Sequence, residues 1–133
     1  MRSERSDPAS LVVLNVDDRV ESLYLKDRFL RAKGYTVANA TTGKAALGLA
    51  ARLLPNLMLL DVHLPDIDGR EVCRQIKANP NLASILVVLV SATLTGHAAQ
   101  LDGLLWAGAD GYIVQPFDPE SLDSTLRSLL KVP

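Results

Sequence analysis

Three acidic residues stand where this chain changes character. Asp17 and Asp18 follow the apolar run Leu11–Val16, and Asp61 closes the apolar run Leu57–Asp61. Carboxylates gathered at one point repel each other and are costly unless a cation joins them. Hard oxygen donors suit Mg²⁺, which typically takes one or two carboxylates and keeps several waters. A small divalent-cation site is therefore the chemistry these residues offer. Each acid taken alone has a plainer explanation, because aspartates commonly cap helices and start turns; Asp18 could be only an N-cap. An adjacent pair and a third acid, each ending a different strand, are harder to ascribe to chance.

The elements that would hold these acids follow from patterning. Leu11–Val16, Leu57–Asp61 and Ile85–Val90 are nearly unbroken apolar runs, the pattern of strands buried on both faces. Tyr35–Asn39 and Gly111–Val114 are shorter strands. Helical patterns alternate with them. Asp18–Lys33 carries Leu25, Phe29 and Ala32 at i, i+4 and i+7, with Gly34 as the C′ glycine and Asp18-x-x-Glu21 as a capping box. Thr42–Leu54 puts Ala46, Leu49, Ala50 and Leu53 on one face and stops at Pro55. Gly69–Ala78 carries Val72, Cys73 and Ile76 and closes at Asn79-Pro80. A looser helix is predicted over about Gly96 to Ala107. A last helix follows, with Asp118 as cap, Pro119 at N1, and Leu122, Leu126 and Leu129 repeating along it.

Five βα repeats predict an α/β fold: a flavodoxin-like, doubly wound five-stranded parallel sheet, order 2-1-3-4-5, with five helices. In such sheets ligands bind beyond the carboxyl ends of the strands, near a topological switch point. If the first and third strands are neighbours, Asp17, Asp18 and Asp61 converge there.

The chain has 133 residues, a length that suits one domain; residues 1–10 read as a flexible tail and 11–133 as the domain. Its net charge is −1 and its pI about 6.1, so no basic excess points to direct nucleic-acid or membrane binding. Cys73 is the sole cysteine, so neither an internal disulfide nor a paired-cysteine metal site is available. The first ten residues lack the apolar core of a signal peptide, and the apolar runs are strand-sized, so a cytoplasmic location is expected. No effector domain is recognised beyond these repeats.

Four segments together carry a resemblance. VDD at Val16–Asp18, LLDVHLPDIDG at Leu59–Gly69, SA at Ser91–Ala92 and GADGYIVQPF at Gly108–Phe117 resemble, in order, the signature segments of response-regulator receiver domains. The resemblance covers the chain from Leu11 to Val132 and extends faintly to receivers attached to sensor histidine kinases. It implies a signalling switch rather than an enzyme, taking a phosphoryl group from a histidine kinase or histidine phosphotransfer protein onto Asp61 in a Mg²⁺-dependent phosphorelay. It further implies that Asp18 and Asp61 bind Mg²⁺ through their carboxylates, Asp17 partly through water, and His63 through its backbone carbonyl. Ser91 would bond a phosphoryl oxygen, and Tyr112 would be the aromatic that changes rotamer. The face built from the looser helix, the fifth strand and the last helix would carry the output, and a homodimer could form through it. Autodephosphorylation would belong to the same site.

One position departs from the family pattern. Receivers usually place a lysine before the cis-prone proline after the fifth strand; here Gln115 precedes Pro116. Glutamine donates a hydrogen bond without charge, and a charge-assisted bond is stronger, roughly 1.5–3 against 0.5–1.5 kcal/mol. Switching is expected to be weaker by on the order of 1–2 kcal/mol, with Asp61 still competent because the Mg²⁺ ligands remain. The same departure is the one feature favouring a phosphorylation-independent interaction module. The retained acids oppose that reading, and two others fare worse. A haloacid-dehalogenase-type phosphatase would need an acid two residues after Asp61, where His63 stands. A flavin or nucleotide cradle is opposed by the anionic Asp-Asp-Arg loop. The His63 side chain is expected to face solvent. His97 reads as an ordinary helix residue, Cys73, Leu104, Leu105 and Trp106 as core, and Ser121, Ser124 and Ser128 as a solvated helix face.

Overall fold

The computed structural model describes residues 10–91, 107–116 and 118–132. The helix predicted over Gly96 to Ala107 lies outside them apart from Ala107, as do His97, Leu104, Leu105, Trp106 and residues 1–9. The strands are β1 (Val12–Val16), β2 (Thr36–Ala40), β3 (Leu57–Asp61), β4 (Leu86–Ser91) and β5 (Gly111–Val114). The helices among the described residues are α1 (Val20–Ala32), α2 (Gly43–Leu53), α3 (Gly69–Ala78) and α4 (Pro119–Leu130). The sheet is parallel with the order β2-β1-β3-β4-β5, as the βα alternation predicts.

Residue parity explains the layers. Leu14, Val16, Met58, Leu60, Val87 and Leu89 point to a core closed by Ala46 and Ala50 of α2 and by Val72, Cys73 and Ile76 of α3. Val13, Leu57, Leu59, Val88 and Val90 point the other way, to Leu30 of α1 and Leu122, Leu126 and Leu130 of α4. The three central strands are thus covered on both faces, which is why they read as continuous apolar runs. The edge strands β2 and β5 are less completely buried, each with exposed or half-buried positions.

Two expectations about α1 are corrected. Its N-cap is Arg19, and no side chain caps it, so the Asp18 capping box does not form. Nor does the predicted apolar stripe face inward as a whole: Phe29 is partly buried against the core, but Leu25 is 66% exposed and Ala32 is exposed, while Lys26 and Leu30 are buried. The helix is turned by about one residue from the phase that Leu25, Phe29 and Ala32 suggested, and it places a lysine in the core. At α4, Asp118 occupies the N-cap position but makes no side-chain cap bond.

Cys73 is core, as expected. Its thiol donates to the Ala107 carbonyl at 3.3 Å, and burial pushes its pKa up to about 12. Since the thiolate is the reactive form, native protein at pH 8 should alkylate roughly a thousandfold slower than unfolded protein, with labelling appearing only across the unfolding transition.

Candidate acidic metal site

The pairing register builds the site. Val16 of β1 lies beside Leu60 of β3, so the next residues, Asp17 and Asp61, emerge side by side at the carboxyl edge. This is where the sheet reverses its order of winding, the place where ligand crevices form. Oxygens of Asp17, Asp18 and Asp61 all lie within 4.8 Å of one another. Asp17 and Asp61 are buried, whereas Asp18, freed from any capping duty, is exposed.

Each of the two buried carboxylates is held by local backbone. The Arg19 amide donates to Asp17 Oδ1 at 2.9 Å, and the His63 amide donates to Asp61 Oδ1 at 3.1 Å. The β3–α3 loop that carries His63 is anchored twice. Asp66 accepts hydrogen bonds from the Gly43 and Lys44 amides at the start of α2, at 2.8 and 2.9 Å. At the other end of the loop the Gly69 amide donates to the Val62 carbonyl at 2.8 Å. Position 69 allows no side chain, because a Cβ there would overlap the Asp61 carbonyl oxygen and the Val62 backbone.

The electrostatics separate the two buried acids. Burial pushes the Asp61 pKa up to about 6; the His63 amide opposes this and the charge of Asp17 adds to it. Burial alone would raise Asp17 too, but the Lys26 ammonium, the Ser22 hydroxyl and the Arg19 amide hold it below the usual carboxylate range. Lys26 Nζ is 2.9 Å from Asp17 Oδ2, with both side chains essentially inaccessible to solvent. Among the described residues the other cation at Asp17 is the half-exposed Arg19 guanidinium, 3.9 Å away. Three carboxylates therefore meet one buried ammonium and remain in excess, a donor set that fits a hard divalent cation.

The other residues singled out in the sequence fall around this edge. Ser91 is buried at the end of β4, one residue beyond Val90, the register partner of Asp61. Tyr112 lies on β5 opposite Leu89, partly buried against the core on the α2–α3 side. The Gln115-Pro116 peptide is cis. His63, Ser121, Ser124 and Ser128 are exposed, as expected. Gln115 does not hang free toward the acids: its Oε1 accepts from Arg19 at 2.8 Å and its Nε2 donates to Ser22 Oγ at 3.3 Å. Sequence reasoning missed Lys26 entirely. A lone lysine in an amphipathic helix ordinarily reads as solvent-facing, and no spacing marks this one.

Comparison with known proteins agrees with this architecture. The model of the response regulator receiver domain matches residues 13–127. The response regulator PleD of Caulobacter vibrioides is 40% identical over 119 residues, covering 90% of this chain and 26% of PleD. The response regulator MprA of Mycolicibacterium vanbaalenii is 38% identical over 124 residues, covering 93% of this chain and 51% of MprA. The chain thus spans between a quarter and a half of the length of these relatives. Among solved structures, the receiver domain of a signal transduction histidine kinase from Syntrophus aciditrophicus superposes with a TM-score of 0.83 at 28% identity, covering 92% of this chain and 91% of that one. A CheY-like receiver domain protein from Methanospirillum hungatei gives 0.81 at 29% identity, covering 91% and 94%. With the strand order, the acidic edge and the family match in agreement, this chain belongs to the response-regulator receiver domain family.

Proposed function

We propose that this receiver accepts a phosphoryl group on Asp61 from the phosphohistidine of a histidine kinase or histidine phosphotransfer protein. The observation that carries the proposal is the convergence of Asp17, Asp18 and Asp61 within 4.8 Å at the β1–β3 switch point. Asp18, Asp61 and the His63 carbonyl would hold Mg²⁺, with Asp17 acting partly through water. The cation supplies charge neutralisation, letting an anionic carboxylate and an anionic donor approach. An Asp61 carboxylate oxygen forms a bond to phosphorus while the bond from phosphorus to the donor imidazole nitrogen breaks. The imidazole keeps that electron pair and takes a proton from solvent. Ser91 would then donate to a phosphoryl oxygen, and Tyr112 would change rotamer in response.

Phosphorylation gives the site a charge of about −2 on three strong acceptor oxygens, which is what draws donors at the neighbouring strand ends. Among the described residues no helix is long and apolar enough to cross a membrane. The test is direct. The protein is incubated with Mg²⁺ and a small phosphodonor, and its intact mass is measured. A gain of one phosphoryl group that disappears when a chelator removes the metal is the expected result. A folded, Mg²⁺-binding protein that gains nothing would instead favour a phosphorylation-independent interaction module.

A further inference from the structure

Lys26 has no part in the reading above, yet it is the one buried cation at the site among the described residues. It is 1% exposed, and its ammonium reaches Asp17 from the middle of α1. The two atoms are 2.9 Å apart, and beyond Asp17 no acceptor among the described residues takes a hydrogen bond from Nζ. An ammonium carries three donors, so a buried one in this state has donors left to give. Its charge also acts on Asp61.

Stability does not account for such a group. A buried ion pair recovers little more than its desolvation cost, and apolar residues of similar volume serve a core as well or better. Position 115, meanwhile, brings no charge, and its glutamine is held by Arg19 and Ser22. We propose that Lys26 supplies the positive charge that position 115 lacks. In the unmodified protein its ammonium rests on Asp17; when Asp61 carries a phosphoryl group, the ammonium moves to a phosphoryl oxygen.

The move is one that lysine can make. Its charge is compact, its four-carbon stem is flexible, and its three donors rotate. The phosphoryl group is the stronger attractor, being doubly charged where Asp17 is singly charged. In this arrangement α1 feels the modification first. Ser22 is bonded to Asp17 and accepts from Gln115, so loss of Lys26 from Asp17 reaches the segment after β5 through a hydrogen-bonded chain. This inference rests on Asp61 being the phosphoacceptor and replaces the weakened switching expected from position 115 alone.

Beryllofluoride, a phosphoryl mimic, separates the two. Its affinity in saturating Mg²⁺, and that of Mg²⁺ alone, are measured by calorimetry for the wild type, Asp61→Asn, Lys26→Met, Gln115→Lys and the Lys26→Met/Gln115→Lys pair. Wild type should bind beryllofluoride and Asp61→Asn should not; a wild type that fails to bind overturns the phosphoacceptor reading, and this one with it. Lys26→Met should bind at least about tenfold more weakly, the size of a lost charge-assisted bond. Its Mg²⁺ affinity should stay equal or rise, because a competing cation is gone. Adding Gln115→Lys should restore beryllofluoride binding to Lys26→Met but alter the wild type less than about threefold.

Beryllofluoride affinity in Lys26→Met within about threefold of wild type overturns the proposal. So does an equal loss of both affinities, which would mark a packing role. Should Lys26→Met fail to fold, Gln115→Lys alone decides. A gain of tenfold or more would show that the site lacked a cation, against the proposal, and a change under threefold upholds it.

Discussion

Asp61→Asn is expected to take up no phosphoryl group and, in a chelator at pH 7.5, to melt several degrees above the wild type. The first effect is loss of the nucleophile, and with it all of the Mg²⁺-dependent mass gain. The second follows from the electrostatics. Asp61 has a folded pKa of about 6 against an ordinary value of 3.8, chiefly because it is buried and then because Asp17 is beside it. Between those values the folded state binds more protons than the unfolded one. Stability contributed by protonated Asp61 is therefore lost as pH rises through that window, and the full penalty is present at pH 7.5. The shift is equivalent to about 3 kcal/mol at most, and to about 1–2 kcal/mol once screening at the open edge is allowed for.

Asparagine keeps the shape of the side chain and the acceptor for the His63 amide while removing the charge. For a domain of this size the gain amounts to a rise of about 3–8 °C. Below pH 4 the wild-type carboxyl is protonated as well, and the two melting temperatures should meet. Saturating Mg²⁺ should also close the gap at pH 7.5 by stabilising the wild type in preference to the variant. An equal difference in melting temperature at pH 4 and pH 7.5 would show that charge is not its cause.

Gly69→Ala should be the most destabilising single methyl addition in the described chain, costing about 3 kcal/mol or more in urea or thermal unfolding. The new Cβ would overlap the Asp61 carbonyl and the Val62 backbone, and main chain cannot yield as a side-chain tip can. Relief would require the start of α3 to move off the end of β3, taking with it the Gly69–Val62 hydrogen bond and the loop that carries His63. Loss of Mg²⁺ affinity should accompany the loss of stability. Gly48→Ala is the matched control: it sits inside α2 with nothing within 4 Å of a built Cβ. There alanine should add about 0.5–1 kcal/mol through helix propensity. Equal outcomes at the two glycines would remove the steric account.

Much of this protein is legible in one dimension. Continuous apolar runs mark β1, β3 and β4 because strands covered on both faces admit no polar alternation. Glycine, proline and Asn-Pro breaks bracket the helices because backbone chemistry is local. The acids stand at strand ends for the same reason that ligand crevices do, and the four segments VDD, LLDVHLPDIDG, SA and GADGYIVQPF, taken in order, suggest the family. What the sequence could not decide depends on contacts between residues far apart in it. The rotation of α1 was misjudged because Leu25, Phe29 and Ala32 satisfy a helical period as well as the true inward face does. Only packing against β1 and β2 selects between the two phases. Burial of Lys26 follows from that rotation, since the helix phase that seats Leu30 in the core also turns Lys26 toward Asp17. The capture of Gln115 by Arg19 and Ser22, and the hold of Asp66 on α2, join residues 96, 93, 23 and 22 positions apart. Sequence patterning carries propensity and periodicity, which are short-ranged; the placement of one buried charge against another is a property of the assembled sheet and its covering helices.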